Sequence, residues 1–220
     1  MAVRHFLIPL AIVAGAVTLV RPAQAERTVL APLPALSIAP TANREVAIFA
    51  GGCFWGVEGV FEHVRGVTGA VSGYTGGQTE RPTYDAVSGG STGHAEAVRV
   101  TYDPRVVRYT DLLRIYFSVV ADPTMLNAQG PDRGTQYRTA LFPTSAAQEK
   151  QARAYIAQLR NQRIFERPIV TKIESLRGFM TAETYHQDYM KKNPNAGYIV
   201  ANDRPKVEAL KRLFPKSYRG

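Results

Sequence analysis

The strongest constraint on this chain is a change of hydrophobic period across a pair of glycines. Glu45 to Ala50 is a short apolar run suited to a strand, and Gly51-Gly52 ends it. Phe54, Val57, Phe61 and Val64 then recur at helical spacing, with Glu58 and Glu62 on the opposite face and Gly66 as a stop. The residue at this junction is Cys53, the only cysteine of the 220 residues.

Beyond the junction the elements continue to alternate. A second strand is expected over Thr68 to Tyr74, stopped by Gly76-Gly77, then a polar loop to Gly93 and a third strand over His94 to Tyr102. Tyr109 to Val120 has helical spacing with Thr110 as N-cap. A long loop, Ala121 to Thr135, precedes a strand over Gln136 to Phe142, a helix over Ser145 to Arg160 and a strand over Pro168 to Ile173. The tail reads as irregular, with short helices near Glu183 to Lys192 and Lys206 to Leu213. This order predicts an α+β fold: a two-layer, ferredoxin-like sandwich with a mixed β-sheet, helices on one face and an irregular C-terminal tail.

The N-terminus follows another logic. Arg4, the apolar run Phe6 to Val20 and the ending Pro22-Ala-Gln-Ala25 have the layout of a secretory signal peptide, with cleavage expected after Ala25. The apolar run is short for a membrane span and carries Pro9 and Gly15, so a retained tether is the weaker alternative. Residues 26–43, rich in Pro and Ala, read as a mobile linker, which leaves residues 44–220 as the folded domain. The predicted location is outside the cytoplasm, in a bacterial periplasm.

Loss of residues 1–25 removes Arg4 and Arg21 and no acid, so the net charge falls from +9 to +7. The basic residues are scattered and do not interleave with aromatics, which argues against a nucleic-acid partner. One cysteine and the separated His63, His94 and His186 argue against a zinc site. A single thiol in an exported chain is either buried and inert or kept for chemistry. At the start of a helix it meets unsatisfied N–H groups and the positive end of the helix dipole, which predicts a lowered pKa and a reactive thiolate at Cys53.

Several thiol chemistries are excluded by spacing. There is no C-x-x-C, and the residue six after Cys53 is Gly59 where a phosphatase-like loop needs Arg. Gly51 to Gly56 does not fit G-x-G-x-x-G. His94 or His186 could pair with Cys53 as in papain-like proteases, but the flanking residues do not match. Trp55 falls off the apolar stripe of its helix, which makes it a candidate pocket wall beside the thiol.

Gly51-Gly-Cys-Phe-Trp-Gly56 resembles the signature of the A-type peptide methionine sulfoxide reductases. Gly73 to Gly77, Pro82 to Val87, Gly93 to Val98, Gly130 to Arg138, Tyr185-His-Gln187 and Lys192-Asn-Pro194 are similar to that family in the same order. The resemblance implies thiol-dependent reduction of the S epimer of methionine sulfoxide, free or in oxidised proteins, with no bound cofactor. It implies Cys53 as nucleophile leaving a sulfenic acid, Glu96 as a buried, protonated acid, and Tyr84 and Tyr137 as hydroxyl donors to the sulfoxide oxygen. Asp132 matches an orienting carboxylate, and Phe54 and Trp55 match the pocket for the methyl group. His186 either lines the site or anchors the tail.

Many members of that family carry a further cysteine after a Gly-Tyr near the C-terminus. Here Ile199 follows Gly197-Tyr198, and no cysteine lies downstream. The expectation is a one-cysteine monomer whose sulfenic acid is reduced by an external thiol: a thioredoxin- or glutaredoxin-like protein, or a small thiol. A one-cysteine peroxidase and a binding module without turnover remain alternatives at this point.

Overall fold

A computed structural model describes residues 28–220. The expected signal peptide lies outside the described residues. The centre of the sheet is β1 (Glu45–Gly51), which pairs antiparallel with β3 (Ala95–Tyr102) and with β6 (Thr139–Phe142). β2 (Val67–Thr75) lies against β3, with β7 (Lys172–Ile173) and β8 (Met180–Thr181) at the edges, in the order β7-β6-β1-β3-β2-β8. Among the described residues only β6 and β7 run parallel as neighbours, so the sheet is mixed. β1 and β2 are joined through α1 (Phe54–Glu62) and separated by β3, the split β-α-β arrangement expected from the sequence.

Strand alternation divides the sheet into two unequal faces. Phe49, Val98, Val100 and Tyr102 join the main core beneath the helices, while Ile48, Ala50, Ala95, Ala97 and Phe142 form a small cluster on the other face. Val57, Val60 and Phe61 of α1 are fully buried, and Phe49 stacks on Phe61 at 4.8 Å. Each such side chain contributes about 1.5–3 kcal/mol on burial. α3 (Tyr109–Ile115) and α4 (Ala146–Asn161) complete the helical layer. Among the described residues no helix is long and apolar enough to cross a membrane.

Several boundaries differ from those the sequence suggested. The α3 N-cap is Arg108, whose backbone N–H donates to Asp111, and Thr110 lies inside the helix. The helix then loosens into a π turn over Tyr116–Val120. The polar loop before β3 contains α2 (Tyr84–Ser88), capped by the Thr83 hydroxyl accepting from the Ala86 N–H. Thr135–Tyr137 is a 3-10 turn, so β6 begins at Thr139, and only Lys172–Ile173 of the expected last strand pairs.

Two larger findings concern the segment read as a mobile linker and the packing of the irregular tail, whose short helices are present. Residues 28–43 form no regular element, yet they lie strapped along α3 and α4. Ala31 is buried, its N–H donates to Ser118 Oγ, and its carbonyl accepts from Arg114 Nε. The Tyr155 hydroxyl donates to the Pro32 carbonyl, and Gln151 and Gln158 accept from the Ile38 and Ala35 N–H groups. The strap forms no ladder of its own, so side chains of α3, α4 and Ser118 pair its N–H and carbonyl groups instead.

The C-terminal tail, including α5 (Tyr189–Lys192) and α6 (Arg204–Leu213), packs on the outer side of α1. Gly56 and Gly59 make the approach possible: a β-carbon at Gly56 would collide with the Asp203 carboxylate, and one at Gly59 with Met190. Glu58, assigned by periodicity to the polar face, is therefore only 1% exposed and accepts from the Ser72 and Asp188 N–H groups. Burial, with the neighbouring charge of Glu62, pushes its carboxyl up to about 7.

Candidate active site

The site forms where the C-terminal end of β1 meets the start of α1. Gly52 turns the chain with φ +90°, and a β-carbon there would lie 2.6 Å from Gln129 Cβ, so this turn requires glycine. Gln129 is fixed in turn by Asp122, donating to its carbonyl and accepting from its N–H. It belongs to β4 (Ala128–Gln129) and pairs with Asp132 of β5 (Asp132–Arg133), which brings that carboxylate to the junction.

Cys53 is the N-cap residue of α1 and is partly exposed. Its thiol is raised well above the ordinary cysteine range, contrary to the lowered value expected at a helix start. Burial is the main cause; Glu96 once ionised, Asp203 and Asp132 add to it, and the hydrogen bond from the Trp55 N–H opposes it. At the start of this short helix, burial and the nearby acids outweigh the helix dipole and favour the thiol over the thiolate.

Glu96 lies on β3 opposite Tyr74, on the face that alternation directs toward α1. It is 2% exposed, and its carboxyl accepts from the Phe54 N–H at 3.0 Å. Burial raises it to about 8, with Asp132 and Asp203 adding to the rise and the Phe54 N–H opposing it. At neutral pH it is a carboxylic acid bonded to the residue next to the thiol, able to donate a proton.

Tyr84 opens α2 and is placed by Glu183, which accepts from the Tyr84 N–H and from the Tyr74 hydroxyl, both at 2.8 Å. Tyr137 closes the 3-10 turn before β6. Burial is the main cause that raises both phenols, so both remain hydroxyl donors, and both lie within electrostatic reach of Glu96 and Cys53. Asp132 is raised by burial and opposed by the Tyr198 hydroxyl, Lys206 and Arg133.

The apolar wall is built by residues from both ends of the chain. Phe54 is buried against Tyr74 and His186. Trp55 stacks on Tyr189 at 3.7 Å, meets Tyr198 edge-on, and donates its indole N–H to His186 Nδ1 at 3.1 Å. Accepting that bond assigns the His186 proton to Nε2 in the neutral ring, and burial lowers its pKa in the same direction. His186 thus buttresses Trp55. His94 is committed elsewhere, with Nδ1 accepting from the Gly77 N–H and Nε2 beside the Thr79 carbonyl.

The residues that sequence reasoning missed come from the tail: Glu183, Tyr189, Tyr198 and Asp203. Tyr198 donates to Asp132 Oδ2, and Asp203 is buried against Gly56. The Gly-Tyr before Ile199 was the one local signal pointing to them.

A thiol beside a protonated buried acid, two phenol donors and an aromatic wall defines a class of thiol-dependent reductase acting on a small polar group with an apolar neighbour. Comparison with known proteins narrows the class. Residues 45–218 match the family model described as peptide methionine sulfoxide reductase. The chain is 56% identical over 174 residues to peptide methionine sulfoxide reductase MsrA 2 of Mesorhizobium japonicum, covering 79% of this chain and 89% of that protein. It is 52% identical over 180 residues to MsrA of Deinococcus radiodurans, covering 82% and 87%. Among solved structures, reduced Mxr1 of Saccharomyces cerevisiae matches with a TM-score of 0.64 at 34% identity, covering 72% of this chain and 91% of that one. Methionine sulfoxide reductase A of Corynebacterium diphtheriae matches with a TM-score of 0.60 at 29% identity, covering 79% and 88%. The chain belongs to the peptide methionine sulfoxide reductase family.

Proposed function

We propose that this enzyme reduces the S epimer of methionine sulfoxide, in oxidised proteins and as the free amino acid, by direct attack of Cys53 on the sulfoxide sulfur. The observation that carries the reading is the buried, neutral Glu96 hydrogen-bonded at the first turn of the helix that begins after Cys53. A sulfoxide oxygen leaves only when protonated, and a site that keeps a carboxylic acid protonated at neutral pH supplies that proton.

In the proposed step the methyl group rests against Phe54 and Trp55 while the oxygen faces Glu96, Tyr84 and Tyr137. Separate places for methyl and oxygen select one epimer. The Cys53 sulfur bonds to the sulfoxide sulfur as Glu96 protonates the oxygen. The bond between the two sulfurs then breaks as the hydroxyl passes to Cys53, giving methionine and a sulfenic acid, with substrate sulfur reduced and cysteine oxidised by two electrons. Burial favours the thiol at rest, so its proton leaves as the bond forms and goes to the Glu96 carboxylate, which restores the acid.

With no second cysteine in the chain, two equivalents of external thiol return the sulfenic acid to Cys53, releasing water and a disulfide. A thioredoxin- or glutaredoxin-like protein, or a small thiol, fits this role. The layout of residues 1–25 supports export to the periplasm.

The test is incubation with each epimer of N-acetyl methionine sulfoxide. With dithiothreitol, S is consumed and R is not; without it, about one methionine forms per enzyme and a sulfenic-acid trap labels Cys53. Peroxide consumption in place of sulfoxide reduction, or full activity in Cys53→Ser, refutes the reading.

A further inference from the structure

The tail carries one residue that the proposed reaction leaves without a role. Tyr198 stands at the position after which many relatives place a second cysteine, and here it is built into the wall of the site. Its hydroxyl donates to Asp132 Oδ2, and its ring meets Trp55 edge-on at 5.9 Å and 83°. The opposite contact on Trp55 is the stacked ring of Tyr189.

The segment after Tyr198 holds it in place. Ile199, where the second thiol would stand, is 1% exposed and begins a π turn over Ile199–Asp203 that packs on α1 and runs into α6. Asn202 donates to the Tyr198 carbonyl, and Asp203 closes on Gly56 one turn beyond Cys53. A tail that must deliver a thiol has to leave such a position. This one has an aliphatic side chain buried there, and withdrawing it would expose that surface to water.

We propose that Tyr198 is a positioning residue for sulfoxide reduction, holding Asp132 and Trp55 from the tail so that the C-terminal segment serves as a fixed wall of the pocket. The inference rests on the proposed sulfoxide reductase activity. It assigns the tail a task in binding the substrate, separate from the resetting of the thiol.

The groups facing Asp132 are Tyr198 from the tail, Lys206 from α6 and Arg133 beside it. Glu96 from β3, Cys53 before α1 and Tyr137 before β6 also lie within reach of its charge. Tyr198, Lys206 and Arg133 favour the carboxylate, and burial opposes it. Removing the Tyr198 hydroxyl therefore raises the pH at which Asp132 takes up a proton.

The experiment compares wild type, Tyr198→Phe, Asp132→Asn and the double variant in S-epimer reduction across pH. Tyr198→Phe is expected to raise KM about tenfold, the loss of a hydrogen bond to a charged group, with kcat changed less than about threefold. Its acid limb in kcat/KM moves up by roughly half a unit or more. In the Asp132→Asn background the same change costs less than about twofold, because its target is gone. Unchanged KM and acid limb, or an undiminished effect in that background, overturns the proposal. A readout independent of turnover is available because Trp55 is the only tryptophan. Tyr198→Leu is expected to shift its emission to the red as water reaches the indole, and unchanged emission also overturns the proposal. A wild type inactive on the S epimer would instead refute the functional reading, while the emission still tests the wall.

Discussion

Replacing Glu96 with glutamine separates proton donation from the packing around it. Glutamine has the same shape, its oxygen can keep the Phe54 N–H, and its amide can donate where the carboxylic acid does, but it has no proton to transfer. The carboxyl is raised from 4.5 to about 8, so the folded protein holds this proton through a range in which the unfolded chain has lost it. For an acid raised in this way, stability declines as pH climbs from about 4.5 to about 8 and then levels. The full shift corresponds to about 5 kcal/mol, an order-of-magnitude ceiling for a group this buried. Glu96→Gln escapes that loss. Urea unfolding at pH 5 and pH 9 should therefore show the variant gaining on wild type by several kcal/mol at the higher pH, up to about that ceiling. Glu58 titrates in both proteins and cancels in the comparison. In the same variant kcat/KM for S-epimer reduction should fall by about 10²–10⁴, the range for loss of a general acid. Wild-type activity should itself decline above about pH 8 as the acid ionises. A variant within tenfold of wild-type activity, or one whose stability tracks wild type at both pH values, would refute this account of Glu96.

The scaffold gives two further expected outcomes. Gly52→Ala forces a β-carbon onto Gln129 at a backbone angle that L residues rarely adopt, so it should cost about 2–4 kcal/mol in urea unfolding and most of the activity. Wild-type stability in that variant would mean the turn tolerates a side chain. A chain beginning at Arg44 should be less stable than one beginning at Glu26 by on the order of 2 kcal/mol, reflecting the lost strap contacts offset by the entropy of ordering it. Equal midpoints would show that the strap adds nothing.

Much of this protein is legible in its sequence, because much of it is set locally. The change of period at Gly51-Gly52 specifies a strand, a turn and a helix, and it places Cys53 at the junction whatever the rest of the chain does. The strands and helices of the sandwich follow from periodicities of two and 3.6, which report directly which face is buried. The motifs around Glu96, Tyr84, Asp132 and Tyr137 identify the candidate groups as residue types.

Tertiary structure decided what those groups are chemically. The dipole argument at Cys53 is local and points to a thiolate, whereas burial and carboxylates from β5 and the tail shift the balance toward the thiol. Glu58 sits on the polar face by spacing, yet Gly56 and Gly59 let the tail cover that face. The strap and Tyr198 show no period at all, since their places are fixed by contacts to residues far along the chain. Periodicity reports one element's burial against one partner, so a second partner arriving from 130 residues away, as Asp188 does at Glu58, leaves no trace in the local pattern.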